Sequence, residues 1–339
     1  MSNGFLIYVD GNRQIGYGHL TRMRSLCDLV GLPYQILTRT PEATSKIFDA
    51  PETNIQTIQS KEQIVDYARL HAATLVVLDP PYSEARADEL TGPFWQPVVD
   101  ALKGVGKRVV RFIDESRATD HRCDLLINDH PCAWRFVGEY SEMGFDGKLL
   151  AGAEHFLIDD RHRNLSTPNF GEQRSLFISF GGSDQCGLVD RLMPLIQELG
   201  RQLAVHMVVG PGHPTPLPHN CGIKISKGLS PRAFATELRK CKLAFTASGN
   251  TIFERAYHRV PGLSISQSPH QETIGQAFDD LGITRHLGAG SKVDLDILAR
   301  SVIDLWEDAA ACQTQRTHCE NLDIEAGCRE IVEAVRSLA

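Results

Sequence analysis

The chain has 339 residues, of which 42% are hydrophobic and 23% charged, with a formal net charge of −7. That length holds two ordinary domains that each bury a core, and the composition excludes a largely disordered chain. The negative balance gives no general attraction for nucleic acid or an anionic membrane. No apolar stretch approaches the roughly 20 residues that cross a bilayer, and the first residues lack the charged and apolar regions of a signal peptide. A cytoplasmic protein with no transmembrane segment and no nucleic-acid partner is the expectation.

From the N-terminus, the apolar run Phe5–Val9 predicts a strand, and Leu20, Met23, Leu26, Cys27 and Val30 recur at the spacing of one buried helical face. Between them lies Ile15-Gly16-Tyr17-Gly18-His19-Leu20-Thr21-Arg22, a glycine-bearing loop that opens a helix with an imidazole in its first turn. Glycines permit tight turns and close approach to a ligand, while a helix N-terminus favours anions and disfavours a charged imidazole. His19 is therefore a candidate general base. Its competing reading is a capping or core histidine, because many doubly wound proteins use a Gly-x-Gly turn only to pack helix on sheet.

Further strands are expected at 34–37, 74–78, 108–113 and 125–127, alternating with helical patterns as in a parallel sheet covered by helices. Asp10, Asp79, Asp114 and Asn128 each follow one of the first-half apolar runs. Ligands of open parallel sheets gather beyond the carboxyl ends of strands, although helix capping is the competing role for each residue taken singly. The polar segment 158–174, broken by Pro168 and Gly171, marks a domain boundary, giving domains at 1–165 and 172–339. Within it, Asp159-Asp160-Arg161-His162-Arg163 reads as a charged connector rather than a metal cage.

The second half repeats the alternation, with strands expected at 176–180, 204–209, 242–246 and 262–265. Phe180-Gly181-Gly182-Ser183-Asp184 follows a strand and precedes the helical pattern Leu188, Leu192, Leu195, Ile196 and Leu199. Such a turn presents backbone N–H groups to phosphate, but it lacks the Gly-Lys-Ser/Thr ending of a P-loop, which argues against an ATPase or kinase. In Thr246-Ala247-Ser248-Gly249-Asn250-Thr251-Ile252-Phe253-Glu254, Ser248, Gly249 and Thr251 suit a phosphate, and Glu254, one turn along, suits ribose hydroxyls. The alternative there is N-capping plus an exposed acid. The nine cysteines form no Cys-x-x-Cys pair and read as mostly free thiols, and no His-Glu-x-x-His is present. No metal or cofactor is expected. A helical tail from about 319 to 338 is expected to pack across both domains. The economical architecture is α/β, with two Rossmann-like domains facing across a cleft.

The set Ile15-Gly-Tyr-Gly-His19-x-x-Arg22, Gly181-Gly-Ser-Asp184 and Ala247-Ser-Gly-Asn-Thr-Ile-Phe-Glu254 resembles the PseG-like family of UDP-sugar hydrolases, within the GT-B group that includes the MurG glycosyltransferases. The likeness covers nearly the whole chain. Phe112-Ile-Asp114-Glu115, Cys123-Asp-Leu-Leu-Ile-Asn128, Leu150-Ala-Gly152 and Phe156-Leu-Ile158 match in the family's order.

The resemblance implies a GT-B fold and hydrolysis of UDP-2,4-diacetamido-2,4,6-trideoxy-β-L-altropyranose on the route to pseudaminic acid, with a nucleotide sugar as the ligand. By analogy His19 is the base that activates water, with inversion at the anomeric carbon. Gly16, Tyr17, Gly18, Arg22, Asp79, Tyr82 and Asp114 are implied at the sugar, with Tyr17, Arg22 and Asp114 orienting either the sugar or the base. Gly181, Gly182, Ser183, Asp184, Ser248, Gly249, Asn250, Thr251, Glu254, His270 and Gln271 are implied at the nucleotide. The chain departs from the family at Asp79-Pro80-Pro81-Tyr82, where relatives carry Asp-His-Tyr, and at His270-Gln271-Glu272, where relatives often carry Asn-Gln-Glu. Two rival readings are a GT-B glycosyltransferase, in which the base deprotonates an acceptor hydroxyl, and a catalytically silent sugar-nucleotide-binding protein. The sequence carries no sign of oligomeric state.

Overall fold

Short apolar runs that are buried on both faces build the centre of each sheet. The computed structural model describes residues 4–12, 15–49, 52–80, 95–115, 122–165, 174–182, 184, 186–213, 217 and 222–339. The chain divides into two units, one formed by Met1–Asp160 with Ile324–Ala339 and the other by Arg161–Asp323.

The first unit holds seven strands: β1 (Phe5–Val9), β2 (Tyr34–Thr38), β3 (Ile55–Thr57), β4 (Leu75–Asp79), β5 (Arg108–Ile113), β6 (Leu125–Asn128) and β7 (Lys148–Ala151). They lie in the order β3-β2-β1-β4-β5-β6-β7, and every pairing is parallel. The second unit holds β8 (Ser175–Ser179), β9 (Ala204–Val209), β10 (Lys224–Lys227), β11 (Leu243–Ala247), β12 (Gly262–Ser266) and β13 (Arg285–Ala289), in the order β10-β9-β8-β11-β12-β13, again all parallel. Both sheets thus reverse their winding at one place, between β1 and β4 and between β8 and β11. That switch point is where strand-end loops diverge and leave a crevice for a ligand.

The central strands β1, β4, β11 and β12 are buried at every residue, as expected where helices cover both faces of a parallel sheet. The edge strands β3, β7, β10 and β13, which the apolar pattern did not predict, are partly exposed. The predicted face Leu20, Met23, Leu26, Cys27 and Val30 of the helix Gly18–Val30 is buried against the sheet. The described segments contain no helix long and apolar enough to cross a membrane.

The last helix, Ile324–Leu338, belongs to the first unit, whereas the sequence-based boundaries assigned it to a second domain at 172–339 and expected it to pack across both. Its buried Ile324, Cys328, Ile331, Val332 and Val335 define one apolar face, but such a stripe does not specify which sheet it covers. Polar anchors fix the choice. Arg336 donates to the carbonyls of Leu29 and Val30, and Thr74 Oγ1 donates to the carbonyl of Ala339. Gly327 lets the helix backbone approach Glu154, because a Cβ there would fall on the Glu154 carbonyl. Gly327→Ala should therefore cost about 1–3 kcal/mol through overpacking against backbone. A melting temperature equal to the parent's would show that this close approach is not needed.

Candidate functional site

At the first switch point, β1 runs into a turn built by Asn12. Its side chain accepts from the Ile15 amide at 2.9 Å and its carbonyl accepts from the Gly16 amide at 2.8 Å. Gly16 sits at φ 94°, a conformation that L side chains rarely adopt. The following helix, Gly18–Val30, begins with Tyr17 at its N-cap and has no side-chain cap, so its first-turn amides lack a side-chain partner.

One turn of that helix places His19 and Arg22 on the end of β4. His19 Nδ1 lies 2.9 Å from Asp79 Oδ1, with its side chain 14% exposed and that of Asp79 fully buried. Arg22 grips the same carboxylate in a fork, Nη2 to Oδ1 at 2.6 Å and Nε to Oδ2 at 3.1 Å, and its other arm, Nη1, donates to Asp129 Oδ2 at 2.9 Å. The Arg22 guanidinium stands 5.6 Å over the Phe112 ring. Arg22 Nη2 also comes within 3.2 Å of His19 Nδ1, but that nitrogen donates to the carboxylate and so cannot accept from Arg22. This assignment puts the proton on Nδ1 and leaves the Nε2 lone pair as the proton acceptor.

The electrostatics of the cluster follow from one cation among several acids. Burial opposes ionisation of Asp79, but the charges and hydrogen bonds of Arg22 and His19 outweigh it, and its carboxyl is held below the usual 3.8. Asp129 goes the other way. Burial is the main cause, the Arg22 charge opposes it, the Asp114 and Asp79 charges reinforce it, and the group is pushed up to about 6. Arg22 is buried, which by itself favours loss of its charge, but Asp79 and Asp129 raise it well above its ordinary value, so it remains charged.

The structure thus groups His19, Arg22 and Asp79, and sets the charge of Asp114 close enough to act on Arg22. The family resemblance implies a sugar contact for Asp79. Its two oxygens are instead taken up by Arg22 and His19, and no surface of it is exposed. The reason is burial: a carboxylate at a central strand end is stable there only when paired. Tyr82 lies outside the described residues. Asp129, adjacent to the predicted strand-end Asn128, had not been singled out. Asn128 itself joins two strand-end loops, accepting from the Glu115 and His130 amides and donating to the Glu115 carbonyl.

At the second unit's switch point, Gly181 has φ 82° and Gly182 packs so closely on Gly210 that a Cβ at 210 would collide with the Gly182 backbone. Asp184 was expected at a nucleotide. Its Oδ1 accepts from the Leu188 amide and its Oδ2 from the Val189 amide, each at 2.8 Å, so it caps the helix Leu188–Leu199. A short acid three residues after a tight glycine turn meets the helix's unpaired donors before it meets anything else. Ser183 lies outside the described residues.

Beside this loop, β11 ends at Ala247 and is followed by Ser248 and Gly249, the N-cap that opens the helix Asn250–Tyr257 without a side-chain cap. Its first turn, with Asn250 and Thr251, therefore presents amides to an anion. The Gln271 side-chain amide would stand 3.4 Å from a Cβ placed on Gly249, so the start of the helix Pro269–Asp280, which carries His270 and Gln271, borders the same turn. Gln267, which sequence reasoning missed, ties the loops together. Its Nε2 donates to the Phe180 carbonyl at 2.7 Å, and its backbone amide donates to Gln271 Oε1 at 3.0 Å. Below them His286 lies between Ser264 at 3.0 Å and Ser266 at 3.3 Å. Glu254 points at the buried His162, 3.7 Å from its Nε2, and His162 in turn stacks on His258. His258 is lowered to about 3 by burial first, then by the charges of His162 and Arg239, so it is neutral at physiological pH.

Among the described residues, no three His, Cys, Asp or Glu side chains are arranged to hold a metal ion. The eight described cysteines are free, and Cys221 lies outside the described residues.

No family model matches the chain. A protein of Helicobacter pylori described as pseudaminic acid cytidylyltransferase and UDP-2,4-diacetamido-2,4,6-trideoxy-beta-L-altropyranose hydrolase is 24% identical over 147 residues, 42% of this chain and 26% of that protein. The match thus spans about a quarter of that relative's length. Among solved structures, Acinetobacter baumannii MurG aligns with a TM-score of 0.62 at 12% identity, covering 98% of this chain and 99% of that one. Arabidopsis thaliana UGT89C1 complexed with UDP-L-rhamnose aligns at 0.66 and 13% identity, covering 99% and 98%. The S. aureus MnaA–UDP structure aligns at 0.58 and 11% identity, covering 93% and 90%. The chain has the GT-B fold: two parallel-sheet α/β domains of seven and six strands.

The cluster fixes what removing its cation would do. Arg22→Met leaves two buried acids without their counter-charge, and breaking a buried pair in this way costs about 3–5 kcal/mol. Urea unfolding at pH 7 checks it, and a loss below about 1 kcal/mol would contradict the pairing. Because the folded value of Asp79 is depressed, its contribution to stability is present above the usual 3.8 and is lost as pH falls through the lower folded value. Asp79→Asn should flatten that acid loss.

Proposed function

We propose that the chain is a nucleotide-sugar hydrolase that releases UDP and a free deoxy-amino sugar, acting on UDP-2,4-diacetamido-2,4,6-trideoxy-β-L-altropyranose in the cytoplasmic part of pseudaminic-acid-type surface-glycan biosynthesis. The observation that carries this reading is the His19–Asp79 contact of 2.9 Å, which holds the imidazole with Nδ1 toward the carboxylate and leaves Nε2 as a base. The H. pylori relative, whose description includes this hydrolase activity, supports the choice of reaction.

In this scheme His19 Nε2 takes a proton from water as the water oxygen attacks the anomeric carbon, and the bond from that carbon to the UDP oxygen breaks. A single displacement inverts the centre. UDP is already a good leaving group, so the protein's tasks are to orient water, accept its proton and offset the diphosphate charge. In the first unit Gly16, Tyr17 and Gly18 line the sugar beside His19, with the charge of Asp114 nearby. In the second, the amides around Gly181 and Gly182 and those following Ser248 and Gly249 hold the diphosphate, with Asn250, Thr251, His270 and Gln271 around them. Glu254 is the ribose acceptor, held in place by His162.

A glycosyltransferase is the second reading, favoured by the full-length likeness to MurG. There the same base deprotonates an acceptor hydroxyl, and acceptor-dependent UDP release distinguishes the two.

His19→Ala should lower kcat by about 10²- to 10⁴-fold, the range for losing a general base, while calorimetry finds UDP affinity within about threefold of the parent. Unchanged turnover would reject the role of His19. Gln267→Ala frees the Phe180–Gly182 and Gln271 loops from each other, and we expect weaker UDP binding by roughly tenfold, the scale of one lost buried hydrogen-bonding group. Unaltered UDP affinity would take the nucleotide away from these loops.

A further inference from the structure

We infer that Asp129 is a positioning residue which, through Arg22, supplies the second negative charge that lets His19 keep the proton it takes from water. The inference deepens the hydrolase reading and rests on it for its rate measurement alone.

Arg22 is the link. Its fork satisfies both oxygens of Asp79, and its remaining arm reaches Asp129 at 2.9 Å. With Asp129 protonated, the buried unit of Arg22 and Asp79 is electrically neutral, and an imidazolium forming at His19 adds an uncompensated positive charge. With Asp129 ionised, the unit carries one excess negative charge, which the imidazolium neutralises. Charges in a water-poor site interact far more strongly than in bulk water, so this difference bears directly on base strength. Among the described residues, the charges that act most on Asp129 are those of Arg22 from the helix Gly18–Val30, Asp114 after β5 and Asp79 from β4. Arg111 from β5 adds a buried cation that interacts with Asp79. The elevated Asp129 carboxyl has a cost: the folded protein holds the Asp129 proton more tightly than the unfolded chain does. The stability this contributes is present at about pH 4 and falls as pH rises through about 6. An ionised Asp129 at neutral pH is thus unfavourable to the fold and favourable to the base.

Asp129→Asn separates this role from a merely structural one, because the amide oxygen still accepts from Arg22 while the charge is gone. The variant should be at least as stable as the parent at pH 7 in urea unfolding, and its stability should lack the parent's decline between about pH 4 and 6. Its kcat at pH 7 should drop by about tenfold with KM within twofold. Followed by NMR without substrate, the His19 ring should protonate about one pH unit lower in the variant than in the parent, the shift matching a tenfold change. If the variant does not fold, Asp129→Ser serves for the same ring titration. A ring titration identical in parent and variant overturns the proposal, as does a variant of full kcat. Should the parent turn over no nucleotide sugar, the hydrolase reading fails on its own, and the ring titration still decides the role of Asp129.

Discussion

The first unit's site depends on one buried cation. Arg22 has almost no access to solvent, and it holds Asp79 with one edge of its guanidinium and Asp129 with the other. A buried arginine is tolerable only where carboxylates surround it, and buried carboxylates only where a cation does. The planar fork matters as much as the charge, since a lysine offers no bidentate geometry to set both oxygens of Asp79. Through that carboxylate the guanidinium fixes the ring orientation of His19, which is the link between packing in this unit and the chemistry proposed for it.

The sheet order explains why these residues meet. His19 and Arg22 follow β1, Asp79 ends β4, and β1 and β4 are hydrogen-bonded neighbours, with Val9 opposite Asp79. Winding proceeds outward in both directions from that pair, so their strand-end loops separate and leave the helix start and the carboxylate side by side. The second unit repeats the device between β8 and β11, with Gly181 and Ser248 in the loops just beyond the strand ends. One rule of parallel-sheet topology thus places the proposed base at the switch point of one unit and the amides proposed for the diphosphate at that of the other.

Much of this was legible in the sequence. The central strands are continuous apolar runs because both faces are covered, and the helix Gly18–Val30 shows its buried face at regular spacing. Polar residues at the ends of those runs pointed to Asp79 and Asp114. The edge strands were not legible: Lys224–Lys227, for instance, is half-exposed and polar, so its sequence obeys solvent more than sheet. Nor was the pairing of Asp79 with Arg22, since 57 residues separate them and local pattern carries no information on such a contact. Asp129 and Gln267 escaped for the same reason, each being defined by a partner distant in sequence. The final helix showed its apolar stripe plainly, but only Arg336 and Gly327 in their structural context tell which unit it joins.

The central claim is that His19 delivers water to the anomeric carbon of a UDP-linked sugar. Turnover of the UDP-linked diacetamido-trideoxy-altrose in ¹⁸O-labelled water, without acceptor and with mass spectrometry and NMR on both products, tests it most directly. The account predicts the label on the anomeric oxygen of the free sugar, an inverted anomer at first release, and unlabelled UDP. Label in the phosphate, retention at the anomeric carbon, or release that requires an added acceptor would contradict it.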